Sequence, residues 1–168
     1  EIIIAEDLSA SDATDFDFND VVFDVTFNDD GSVGTVHLVA AGGVYPLTVD
    51  GHEVHAAFGH TETDSRGYYK MINTHSAIDG VDGATAAPFT VSNPGKNGRD
   101  IKIMVNKFEK KEDGSVEDHW YELEAKKGVP AAKICVNQTF EYCGERVPIT
   151  TPYPNFGGWV RGNKYIWW

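Results

Sequence analysis

The chain has 168 residues, 41% hydrophobic and 12% aromatic, enough to bury the core of a single domain. Twenty-six acidic residues against 14 basic ones leave a formal charge of −12, which argues against nucleic acid and against electrostatic adsorption to anionic lipid, and makes cations the natural partners. No apolar run reaches the roughly 18–20 residues of a membrane span, and no basic-plus-apolar leader precedes the first strand-like residues, so the expectation is one domain over 1–168, a mature or excised segment of a longer surface protein.

In chain order, residues 1–5 are apolar and rich in Ile, a strand pattern. Residues 6–20 are dominated by Asp, Ser, Ala and Asn, a loop composition. Residues 21–27 alternate, with Val21, Phe23, Val25 and Phe27 on one face and Val22, Asp24 and Thr26 on the other, the period of a half-buried strand. Asn28, Asp29, Asp30 and Gly31 supply turn chemistry, and 35–40 reads as the returning strand. Residues 51–94 are rich in Gly, Asp, His, Thr and Asn and read as long loops with a few short strands.

A second hairpin is expected from 101–108, a turn at 112–115 and a return over 119–125. Asp-Gly-Ser-Val occurs in both turns (30–33 and 113–116). Ser115 and Asp118 also resemble a helix capping box with Gly128 as a stop, but the long flanking strand favours the hairpin. Residues 134–136 and 140–142 read as late strands, and 152–160 as a short helical turn with Pro154 near its start. The predicted fold is all-β, a β-sandwich or jelly roll with long loops and a short C-terminal helical turn.

The stretch from Asp15 through Phe16, Asp17, Phe18 and Asn19 to Asp20, preceded by Glu6 and Asp7, is the most informative. Calcium takes about 6–8 oxygen ligands. Alternate positions of a looping backbone, here Asp15, Asp17 and Asn19, can converge on one ion, and Asp20, Glu6 and Asp7 are the candidates to close its shell. The spacing is not that of an EF-hand: Asp20 stands where its loop needs Gly and Thr26 where it needs Glu, and a strand follows instead of a helix. Zinc prefers His and Cys, and magnesium keeps its waters. Asp7, Asp12, Asp15, Asp17 and Asp20 repel one another unless neutralised, and Phe16 and Phe18 point to a loop anchored on a core.

The same residues, Glu6-Asp7-Leu8 followed by Asp15 to Phe23, resemble the opening signature of the LruC-type domain, a family of bacterial cell-envelope and secreted proteins. Lys133 to Val136, Glu145-Arg146 with Ile149, and Tyr153 to Phe156 leading to Trp159-Val160 are similar to its C-terminal part, while 51–94 has no counterpart. The resemblance implies an extracytoplasmic, calcium-binding β module attached to longer surface proteins and related to adhesion proteins. It supplies no molecular function, and the ligand set Glu6, Asp7, Asp15, Asp17, Asn19 and Asp20 is read from oxygen chemistry alone.

Other constellations carry less. His52 and His55 lack the helical i, i+4 spacing of a zinc pair and read as loop or buried, hydrogen-bonded histidines. No Ser sits in a Gly-x-Ser-x-Gly elbow and no Cys–His spacing supports a nucleophile, so no enzyme is expected. Trp120, Trp159, Trp167 and Trp168 read as packing residues before sugar platforms. Cys135 and Cys143 suit either a hairpin disulfide or two free thiols. The expected function is a calcium-binding, cell-surface structural or adhesion-type module, its partner a surface protein or glycan, with a carbohydrate-binding module or carbohydrate-active enzyme as the alternative.

Overall fold

The computed structural model describes residues 1–7, 15–76, 78, 80–92, 97–124, 131–162 and 167–168. Its strands are β1 (Ile2–Ala5), β2 (Val21–Phe27), β3 (Val33–Ala40), β4 (Leu47–Val49), β5 (His52–Glu53), β6 (Phe89–Ser92), β7 (Ile103–Asn106), β8 (Glu109–Lys110), β9 (Val116–Glu117), β10 (Trp120–Glu122) and β11 (Lys133–Val136). Two short α-helices, α1 (Val54–Ala57) and α2 (Phe156–Val160), and a 3-10 turn over Gly98–Asp100 complete the described elements. One sheet runs β11-β1-β2-β3-β6 and a second β10-β7-β4-β5, with β8-β9 as a separate ribbon. These strands pair antiparallel throughout. The fold is all-β and sandwich-like, as the alternation predicts.

The main core lies between the two sheets. Ile3, Val21, Phe23, Val25 and Val36 from the first meet Leu47, Val49, Ile103 and Val105 from the second. Full burial of each such side chain stabilises by about 1.5–3 kcal/mol. A second core covers the other face of the first sheet, where Ile4, Val22, Ala40, Ile134 and Val136 pack under Phe18, Phe140, Cys143, Ile149, Phe156 and Trp167. The alternation in 21–27 predicts an open face at Val22; instead the C-terminal segment buries it.

The two Asp-Gly-Ser-Val turns are built alike. Asp30 accepts from Ser32 N and Oγ at 2.8 and 2.6 Å, and Asp113 from Ser115 N and Oγ at 2.9 and 2.6 Å. Gly31 and Gly114 take φ of 74° and 82°, the left-handed region these turns require. The second hairpin therefore forms and the capping-box helix does not: residues 115–124 hold β9 and β10. Residues 94, 125 and 128 lie outside the described set.

Two predicted elements differ. Residues 140–142 are not a strand; Phe140 is buried by stacking on Tyr153 (4.9 Å) and meeting Trp167 edge-on (5.6 Å), so ring packing replaces strand pairing. The expectation of loops and short strands over 51–94 misses α1, whose N-cap Glu53 accepts from Ala56 N at 2.6 Å. The cysteines are free: Cys135 packs on the main core and Cys143 lies in the second. Among the described residues no helix is long and apolar enough to cross a membrane.

Candidate metal centre

The cleft begins where β1 ends. Glu6 follows Ala5 directly, with Glu6 N donating to Ala132 O at 2.9 Å, and its carboxylate turns inward to accept from Phe18 N at 2.8 Å. Glu6, Asp17 and Asn19 are buried although polar, at 2, 2 and 1% exposure, a placement that requires compensating partners. Phe16 and Phe18, on either side of Asp17, both adopt left-handed φ of 56° and 57°. For bulky L-residues that conformation costs about 1–3 kcal/mol each and persists only where the surroundings impose it. Phe18 is clamped in the second core against Phe156 (5.6 Å), and Phe16 O accepts from Ile149 N at 2.8 Å. Phe16 itself is 39% exposed, whereas Phe18 is buried in the second core.

The C-terminal segment forms the back wall. Arg146 N donates to Asp17 Oδ2 at 2.7 Å, Asn19 Nδ2 to Cys143 O at 3.2 Å, and Asn19 N to Asp17 Oδ1 at 3.2 Å. Across the cleft, Gly42 N and Gly43 N donate to the carbonyls of Asn19 and Asp20 at 2.9 and 3.1 Å. A Cβ on Gly42 would lie 2.2 Å from Asn19 Oδ1 and 2.8 Å from Asn19 O, so glycine is required for this approach. Asp7 N donates to Asp20 Oδ2 at 2.6 Å, and Lys107 Nζ lies 3.6 Å from Asp7 Oδ2.

All six sequence-predicted residues line one cleft of about 270 Å³. Their carboxylates form two trios that share Glu6: Glu6, Asp7 and Asp20, and Glu6, Asp15 and Asp17, with one oxygen from each member lying within 4.8 Å of the others in its trio. Such groups can hold a metal ion. Asn19 lines the same wall, its amide nitrogen tied to Cys143 O. Asp12 lies outside the described residues. Glu145 also lines the cleft and was not predicted; it arrives from the far end of the chain, where no local pattern marks it.

The electrostatics record the crowding. Burial, then repulsion from Asp15, pushes the Asp17 carboxyl up to about 7 from its ordinary 3.8, against the Arg146 hydrogen bond. Burial, then Asp7 and Glu6, pushes Asp20 well up, and burial, then Asp15, pushes Glu145 up. Without a counter-charge these groups resist ionising together.

No family model, curated protein or solved structure matches the chain. What the cleft can do follows from its own atoms. Among the described residues neither His nor Cys lines it, so the donors are hard oxygens. His55 serves packing instead: it is fully buried, with Nδ1 2.7 Å from Glu53 Oε1, Nε2 2.9 Å from Gly43 O, and its ring stacked on Tyr69 at 4.2 Å.

Proposed function

We propose that the chain is a calcium-binding, extracytoplasmic module of the LruC type, in which the ion joins the loop after β1 to the C-terminal segment. The observation that carries this reading is the convergence of Glu6, Asp7, Asp15, Asp17, Asp20 and Glu145 on one cleft, with Lys107 the cation that lines it. Hard oxygen donors at this density suit calcium, which accepts 6–8 ligands in flexible geometry, better than magnesium or zinc. The strained backbone at Phe16 and Phe18 supports the same reading, because such strain gathers at ligand clamps. The ion's role is structural: it neutralises the carboxylates and rigidifies a module displayed at the cell surface for adhesion-type contacts.

Thermal melting in calcium and in chelator tests this. Calcium at 100 times its dissociation constant adds about 2.7 kcal/mol. Asp17→Ala and Asp20→Ala are expected to abolish that increment. If wild type and both variants melt alike in the two buffers, the calcium reading is wrong.

A further inference from the structure

Beside the metal cleft lies a second, larger cavity of about 500 Å³, within the size range of small-molecule sites. The two share Val44 and Met71 as a common wall. In a chain of charge −12 this cavity carries three cations, Arg66, Lys70 and Arg146, against two carboxylates, Glu62 and Asp64. Its basic character is therefore local and runs against the background of the molecule.

The walls are held in place before any ligand arrives. Asp64 Oδ1 accepts from Arg66 N and Tyr68 N at 2.8 and 3.1 Å, closing the turn that presents Arg66. The guanidinium is fixed twice, by Asp64 Oδ2 at 2.8 Å from Nε and 2.6 Å from the terminal nitrogen, and by the Tyr68 ring beneath it at 4.7 Å. Tyr69 is braced by the buried His55 stacked against it and by its own N–H to Val44 O at 2.9 Å. A preorganised guanidinium loses little freedom on engaging an anion and offers paired donors suited to a carboxylate. Asp64 is already satisfied by Arg66 and Tyr68, but Glu62 on the same wall is an acceptor for ligand donors, which a bare phosphate or carboxylate lacks and a polyhydroxylated ring supplies. The tyrosines and Met71 give such a ring an apolar surface.

We infer that this cavity binds an acidic saccharide, its carboxylate on Arg66 and Lys70 and its hydroxyls on Glu62. The site uses none of the six predicted ion ligands, so its test is run with calcium held saturating and is separable from the melting test of the ion.

The experiment is isothermal titration of the full chain with a uronic acid disaccharide and with its carboxyl-reduced neutral counterpart. The acidic sugar is expected to bind and the neutral one to bind at least roughly tenfold more weakly, the loss of a charge-assisted contact. Arg66→Ala and Lys70→Ala should each weaken the acidic sugar by a similar factor, with melting checked to show that the variants fold. Arg99→Ala, which removes the same charge in a separate cavity with Asp100, Glu122, Glu124 and Lys133, should leave binding unchanged. Equal binding of both sugars, binding of neither, indifference to Arg66→Ala and Lys70→Ala, or an equal loss in Arg99→Ala would each overturn the assignment.

Discussion

Replacing Asp17 by asparagine should act in opposite directions with and without calcium. Its carboxyl is raised from 3.8 to about 7, which at 1.36 kcal/mol per pKa unit corresponds to about 4 kcal/mol against the ionised form in the folded, metal-free chain. The sign follows from the folded value lying above the unfolded one. The penalty is absent below pH 3.8, grows as pH rises, and is complete above about 7. Asparagine removes the charge but keeps one acceptor oxygen where Asp17 uses two, for Arg146 N and Asn19 N, a loss of about 1–1.5 kcal/mol. In chelator at pH 8, Asp17→Asn should therefore be more stable than wild type by about 2–3 kcal/mol, a rise of roughly 5–10 °C in melting temperature. On the proposed calcium reading, the order should invert in saturating calcium, because the variant would lack one ligand. Differential scanning calorimetry in both buffers, with wild type in chelator followed from pH 4 to 8, measures this. Equal destabilisation in both buffers would mean that Asp17 acts only through its hydrogen bonds, and the electrostatic reasoning would fail.

Glu145→Gln should weaken calcium binding roughly 10- to 100-fold by titration calorimetry, on the scale of lost metal-site partners. Gly42→Ala drives a Cβ into Asn19 Oδ1 and its backbone carbonyl and should cost about 1–3 kcal/mol in urea denaturation, with a loss of calcium affinity. Phe18→Ala removes a fully buried ring from the second core and should cost about 3–5 kcal/mol by the same assay. Burial pushes the Cys135 and Cys143 thiols up to about 11 and 12, so both should label slowly with a thiol reagent at pH 8 until the protein is denatured, and reductant should leave the melting temperature unchanged.

Local pattern carried the strands and the turns. The period in 21–27 identifies β2, and Asp-Gly-Ser-Val identifies both turns, because strand alternation and glycine's left-handed φ are decided within a few residues. The acidic run is legible for the same reason, since its donors are close in sequence. What depends on distant chain is not. Glu145 joins the cleft only because the C-terminal segment folds back onto Asp17, and Val22 is buried because that segment covers it. Phe16 shows the limit of composition: two aromatics in an acidic loop read alike, yet Phe18 is buried and Phe16 is 39% exposed, with its backbone carbonyl accepting from Ile149 N. Cys135 and Cys143 are near in sequence but serve different cores, a separation that spacing alone does not reveal.

The position of β1 between β2 and β11 means that the opening residues of the chain are interior to a sheet whose last member arrives some 130 positions later. Closing so long a loop is entropically costly and slow relative to forming the first hairpin. The back wall of the cleft is supplied by the same late segment, so a ribosome-bound or truncated chain ending before residue 145 would own the aspartates without their enclosure. On the proposed calcium reading, tight uptake of the ion would then report that the far end has docked, and cation affinity would gauge completed folding.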